Sequence, residues 1–363
     1  MKRIGVLTSG GDCQGLNPAL RGLAKALYHE FEDEVEIYGF ADGYRGLIEE
    51  DYKIMEPADF SGILTRGGTI LGTSRQPFKL MRKKTDDSSV DKVEAMKKNY
   101  KKLKLDALVI LGGNGTHKTA NLLHEEGLHV VTMPKTIDND IWGTDMTFGF
   151  QSAVNVATNV IDCIHTTATS HGRIFVVEIM GHKVGWLTLH AGIAGGADII
   201  LLPEIPYRLE AVTKALQKRE RQGKNFSIIA VAEGAISAED AALSKKERKA
   251  KAAQSPYPSK AYELADALGK ETGQEIRICV PGHIQRGGSP CPYDRVLSTR
   301  LGAAAARLVK EGKYGYMAAV KGMGIEPVPL GEVAGKLKFV PEACEMIQAA
   351  RDMDVSFGDE KET

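Results

Sequence analysis

The heptapeptide PKTIDND, residues 134–140, sets a lysine, a threonine and two aspartates within one short stretch. It follows the apolar run His129–Met133, which reads as a buried strand, so Lys135, Thr136, Asp138 and Asp140 stand at that strand's carboxyl end. Ligands of open α/β sheets sit at that end. One cation, one hydroxyl and two acids suit phosphoryl transfer, in which a base must face a phosphate and a metal. Asp138 can accept a hydroxyl proton, Asp140 can hold or orient hydrated magnesium, and Lys135 can stabilise charge on the transferred group. Proline, asparagine and aspartate also build ordinary turns, so the heptapeptide by itself leaves a plain loop open.

Three glycine-rich stretches share the first half of the chain. TSGGDCQGLN (Thr8–Asn17) runs from a strand through Gly10, Gly11 and Gly15 into a helix. Glycines let backbone approach a phosphate, and a helix start offers free N–H groups. Its spacing is neither GxGxxG nor a P-loop. RGGTILGTSR (Arg66–Arg75) ends in Arg75, a cation whose planar fork suits phosphate. GGNGT (Gly112, Gly113, Asn114, Gly115, Thr116) follows the strand ALVIL and would cradle a nucleotide phosphate. Asn114 stands where an acid could help hold magnesium, and an amide oxygen is the poorer ligand because it lacks charge. Each stretch alone could be only a turn.

The second half carries Arg173, the run Met180–Gly181–His182, Glu233, and then EIRICVPGHIQRGGSPCPYDR with Arg277, His283 and Arg286. Two arginines and a histidine make a site for a sugar phosphate, and Glu233 could accept from sugar hydroxyls. His182 and His283 read equally well, taken singly, as structural histidines.

The elements that must position these residues alternate in type. Strands are expected at Arg3–Ser9, Val35–Phe40, Ala107–Gly112, His129–Pro134, Arg173–Met180, Asp198–Pro203, Phe226–Glu233, Ile276–Val280 and Met317–Val320. Helix-like segments such as Pro18–His29 and Ser152–Thr166 lie between them. Val/Ile-rich strands alternating with helices predict an α/β protein with two doubly wound Rossmann-like domains, each with a mostly parallel sheet, and an active site in the cleft between them. The expected division gives 1–149 plus about 290–340 to one domain, and about 150–289 plus part of the C-terminal segment to the other. Residues 238–260 are rich in Ala, Lys and Glu, and five of the seven from Lys245 to Lys251 are basic. They read as an exposed helix and loop, a surface insertion whose charge is a solvated face.

Composition narrows the class. A chain of 363 residues suits about two domains. Forty-seven basic and 47 acidic residues cancel, which argues against a generally basic nucleic-acid binder. Five scattered cysteines without metal-like spacing read as reduced thiols. MKRIGVLTSGG enters a strand at once, unlike a signal peptide, and no apolar run approaches the about 18 residues of a membrane span. A cytoplasmic protein without a membrane partner is expected.

Taken together, TSGGDCQGLN, LGTSR, GGNGT, PKTIDND, SHGRI, MGH, VAEG and GHIQRGGSPCPYDR resemble, in order from Gly10 to about Leu308, the signatures of the phosphofructokinase family. The resemblance implies that the first domain binds the phosphoryl donor and the second the sugar phosphate. It implies donor binding by Gly11, Arg75, Gly112, Gly113, Asn114, Gly115 and Thr116. Asp138 would be the base for the sugar 1-hydroxyl, with Lys135, Thr136 and Arg75 completing the catalytic set. Thr136 and Asp140 would place substrate and Mg2+, with Asn114 beside the metal. Met180, Gly181, His182, Glu233, His283 and Arg286 would hold fructose 6-phosphate. Arg173 and Arg277 match arginines that reach across a subunit interface, which implies a homodimer or homotetramer with a shared active site.

The donor is the finer question. In this family Gly at the position of Gly115 goes with ATP and Asp there with pyrophosphate, because a carboxylate would exclude the α-phosphate. Lys at the position of Lys135 is typical of pyrophosphate users. The pair resembles ATP-using members of the pyrophosphate-type clade, so ATP is the expected donor and pyrophosphate the alternative. Asn114 in place of the usual acid leaves open a weakly active sugar-phosphate or nucleotide sensor. His182 replaces an arginine that commonly follows Met-Gly, and the 238–260 insertion is absent from short bacterial ATP enzymes.

Overall fold

The computed structural model describes residues 1–32, 34–82 and 91–360. Among them the strands are, in chain order, β1 (Lys2–Ser9), β2 (Val35–Phe40), β3 (Tyr52–Met55), β4 (Ala107–Gly112), β5 (Val130–Pro134), β6 (Ile174–Ile179), β7 (Ile199–Leu201), β8 (Ser227–Ala232), β9 (Ile276–Cys279), β10 (Tyr316–Lys321) and β11 (Gly324–Pro329). The chain divides into two compact units, Met1–Ser152 with Arg286–Lys338, and Ala153–Gln285 with Phe339–Thr363. The boundaries lie two to four residues from those expected, and Arg286 belongs to the first unit rather than the second.

The first unit holds a seven-stranded sheet ordered β11-β10-β5-β4-β1-β2-β3. Its interior pairs are parallel and both edge pairs, β2/β3 and β10/β11, are antiparallel. β4 and β5 are buried along their whole length, as strands covered on both faces must be. The nine expected strands are present. The two unexpected ones are both edges: YKIM is short, and GIEPVP carries two prolines that only an edge strand tolerates.

Register sets up the site. Ser9 pairs with Gly112, and Gly112 pairs with Pro134, so the carboxyl ends of β1, β4 and β5 form one row. Neighbouring strands are about 4.8 Å apart, so three loops leave the sheet within about 10 Å of each other. The chain leaves β1 for β2 on one side while β4 lies on the other, which makes this row the topological switch point. Helix Pro292–Lys310 returns to this unit by packing backbone against helix Leu16–Glu30: a Cβ on Gly302 would lie 2.5 Å from Leu23 N.

The second unit holds an all-parallel sheet ordered β7-β8-β6-β9. Helix Lys260–Thr272 buries Leu264 and Leu268 in this unit's core, and Glu178 of β6 accepts the Ala261 N–H at 2.8 Å at the helix start. The 238–260 segment forms two short helices, Ala238–Ala242 and Lys245–Gln254, capped by Ser237 and Ser244. Every residue of the second is exposed. Among the described residues no helix is long and apolar enough to cross a membrane.

Candidate active site

Lys135 ties the three loops of the first unit together. Its N–H donates to the Gly112 carbonyl at 2.9 Å, and its Nζ donates to the Gly11 carbonyl. The side chain is only 3% exposed. Burial pulls the ammonium below its ordinary value; Arg286 adds to that pull, while Asp138 and Asp12 oppose it. A desolvated cation is thus fixed at the row of strand ends.

The acids follow directly. Thr136 Oγ1 accepts the Asp138 N–H at 3.0 Å, and the Thr136 carbonyl accepts from Thr147 Oγ1 at 2.8 Å. Between the two aspartates, Asn139 takes a left-handed φ of 51°. Its Oδ1 accepts the Thr147 N–H at 3.1 Å, which holds that turn. Asp138 is partly exposed, whereas Asp140 is 8% exposed. Burial, and then the neighbouring Asp138 carboxylate, push Asp140 up to about 7. Asp140 Oδ1 is buried without a hydrogen-bond partner among the described residues. An orphaned carboxylate oxygen beside a second acid fits Mg2+, which is held by one or two carboxylates plus substrate phosphates rather than by a protein cage. Among the described residues no group of three or more His, Cys, Asp and Glu side chains is placed to hold a metal ion. Asn114, the other expected ligand, donates its Nδ2–H to the Lys336 carbonyl.

The glycine loops lie against this loop. Arg286 donates to the Asp12 carbonyl at 3.0 Å, and a Cβ on Gly11 would lie 2.9 Å from its Nη1. A side chain at Gly11 would therefore push the guanidinium from its present place against the loop. The sequence gives no sign of this pairing, since the two residues are 275 positions apart. LGTSR is fastened to the same loop: the Gly10 N–H donates to the Ser74 carbonyl at 3.1 Å, and Thr73 Oγ1 donates to the Gly10 carbonyl at 2.7 Å. Arg75 follows at once and is exposed. Gly113 caps helix Asn114–Glu125 in an extended conformation, leaving the first N–H groups of that helix unbonded within it. Gly115 is exposed, with no atom within 4 Å of where its Cβ would be. Thr116 is buried under it, and its carbonyl accepts from Tyr44 at 2.9 Å. His117 Nδ1 lies 2.8 Å from the Gly113 carbonyl and so carries the proton; burial holds the ring down to about 4.

In the second unit the loop after β6 hangs on three side chains. Gln285 Oε1 accepts the Met180 N–H at 3.2 Å. Glu233 Oε1 accepts from Gly181 and His182 at 3.2 and 2.6 Å, and Glu204 Oε1 accepts from Gly185 at 3.0 Å. His182 has a left-handed φ of 54° and is exposed, as are Glu233 and His283. Gln285 and Glu204 escape sequence reasoning because neither residue type marks phosphate chemistry. Arg173 and Arg277 are elsewhere: both meet Glu275, at 3.4 and 2.5 Å, at the amino ends of β6 and β9. Six strand residues separate Arg173 from Met180, a span of about 20 Å at about 3.3 Å per residue.

Both units are α/β, and the first carries phosphate-type glycine loops and two neighbouring acids, one of them buried, at a switch point. Residues 3–309 match the phosphofructokinase family model, and the chain belongs to that family. It is 55% identical over 360 residues to a protein of Spirochaeta thermophila named ATP-dependent 6-phosphofructokinase, covering 99% of this chain and 98% of that one. It is 49% identical to a protein of the same name from Propionibacterium freudenreichii, covering 98% and 99%. Among solved structures it resembles Pichia pastoris phosphofructokinase in the T-state, with a TM-score of 0.79 and 31% identity, covering 97% of this chain and 36% of that longer one.

Proposed function

We propose that this protein is a cytoplasmic ATP-dependent 6-phosphofructokinase, which converts fructose 6-phosphate and ATP to fructose 1,6-bisphosphate and ADP. The observation that carries the chemistry is the base loop: a partly exposed Asp138 flanked by a buried lysine and a buried acid, at the row where three phosphate-type loops leave one sheet. Asp138 takes the proton of the sugar 1-hydroxyl as its oxygen bonds to the γ-phosphorus and the β–γ bridging bond breaks. Lys135 and Arg75 balance charge on the transferring group. Thr136 orients the base loop. Asp140 would hold Mg2+, which neutralises phosphate charge when bound with the donor.

Gly11, Gly112, Gly113, Asn114, Gly115 and Thr116 form the donor cradle. ATP is favoured over pyrophosphate because the space at Gly115 is open and carries no carboxylate. Met180, Gly181, His182, Glu233 and His283 hold the sugar phosphate, with Arg286 beside the donor loop. The separation of Arg173 and Arg277 from Met180 favours a homodimer or homotetramer in which these arginines serve a neighbour's site. An aldolase-coupled assay with fructose 6-phosphate, ATP and Mg2+ tests the activity. Fructose 1,6-bisphosphate is the expected product, and its absence at saturating substrate would refute this function.

A further inference from the structure

We propose that the tripeptide Lys336–Leu337–Lys338 aligns the donor loop with the base loop, with Lys338 as the positioning residue. The inference rests on the assignment of PKTIDND as the base loop. The tripeptide lies beyond the matched family residues, 3–309, and carries no motif.

Each of its residues is fastened to a loop of the site. The Lys336 carbonyl accepts from Asn114 Nδ2 of the donor loop. Leu337 forms an antiparallel bridge with Ile141. The Lys338 N–H donates to the Asp140 carbonyl at 2.9 Å. The Lys338 ammonium then donates to Asn139 Oδ1, the Thr144 carbonyl and the Asp145 carbonyl, each at 2.9 Å. Three acceptors saturate its three donors, so the ammonium is held in one place. What it holds is the left-handed Asn139, the residue whose backbone sets the divergence of Asp138 and Asp140. A left-handed non-glycine residue persists only where its surroundings over-determine it. Here the surroundings are the Thr147 N–H and the Lys338 ammonium, which both donate to Asn139 Oδ1.

The same contacts account for Asn114. A carboxylate has no N–H to give the Lys336 carbonyl, so an amide is the side chain that fits this strap. Asn114 then joins the donor loop to the base loop through the backbone of the strap, whatever it does toward a metal.

Lys338→Met keeps the stem and removes the ammonium, which frees the Asn139 turn. The expected result is a roughly 10- to 100-fold fall in kcat, the cost of misplacing reacting groups by about 1 Å. KM for ATP and fructose 6-phosphate should stay within about threefold. A folded variant whose kcat is within twofold of the parent overturns the proposal, as does an unchanged kcat with a large rise in KM. If Lys338→Met does not fold, Asn114→Ala tests the other end of the strap: a several-fold loss of kcat is expected, and an unchanged kcat overturns it. Asp138→Asn separates the two levels. If it stays active, the base-loop assignment itself fails; if it is inactive while Lys338→Met turns over normally, the strap alone is refuted.

Discussion

The base loop of the first unit and the loop after β6 in the second are built on opposite lines. Both follow the carboxyl end of a buried parallel strand, and both contain a left-handed residue that is not glycine, Asn139 and His182. In the base loop Lys135 and Asp140 are almost wholly buried, and the loop is bonded to two other loops and to the strap. In the second loop His182 faces solvent, and what is fixed is the backbone, hung on Gln285, Glu204 and the exposed Glu233 that follows β8. Charges that must act on a transferring phosphoryl group are desolvated and fixed beforehand, where they act most strongly and need no reorganisation. Groups that only grip a sugar phosphate can stay hydrated until it arrives.

If that contrast holds, losses in the base loop appear in kcat and losses in the second unit appear in KM. The largest effect is expected of Asp138→Ala, with kcat down roughly 10²- to 10⁴-fold, the usual contribution of a positioned base. Steady-state kinetics would break the contrast if kcat changed only a few-fold.

Next comes Gly115→Asp, which sets a carboxylate against donor phosphate. Juxtaposed like charges cost several kcal/mol, so ATP kcat/KM should fall roughly 100-fold. The position is open, so thermal stability should be unchanged. Full ATP activity in this variant would remove the reason for preferring ATP.

Arg277→Ala should raise KM for fructose 6-phosphate roughly 10- to 100-fold, as expected for a lost hydrogen bond to a charged group. Because Arg277 stands at the far end of the sheet, mixing this variant with Asp138→Ala and allowing subunits to exchange should restore activity. One site of each mixed pair then has both residues intact. Failure to complement, with exchange demonstrated, would contradict a shared site.

The smallest effect concerns pH. His117 titrates near 6.5 when unfolded and at about 4 when folded. The folded state therefore binds fewer protons in that window, and the stability present above pH 6.5 is lost as pH falls toward 4. The slope is at most about 1.4 kcal/mol per pH unit. His117→Gln should lose less melting temperature between pH 6.5 and 4 than the parent, as followed by circular dichroism.

The strands that a sequence shows well are those whose burial leaves a continuous apolar run, such as ALVILG of β4. The edge strands YKIM and GIEPVP have one solvated side or break their run with proline, so their pairing comes only from a neighbour. Site residues divide in the same way. Lysine, aspartate and glycine in PKTIDND and GGNGT announce phosphate chemistry by type and spacing. Arg286 also announces a phosphate, but its place against Gly11 depends on a contact between distant segments. Lys338, Gln285 and Glu204 act on backbone groups of the site loops, and residues that hold backbone carry no local pattern.

On the proposed function, this base loop serves transfer of the ATP γ-phosphoryl group to fructose 6-phosphate. Its most direct test is a competition followed by 31P NMR, with fructose 6-phosphate, Mg2+, ATP and pyrophosphate together. The ATP γ-phosphate signal should fall and a new ester signal from the phosphate on the sugar 1-oxygen should grow, with pyrophosphate undiminished. Consumption of pyrophosphate while ATP persists would contradict that function.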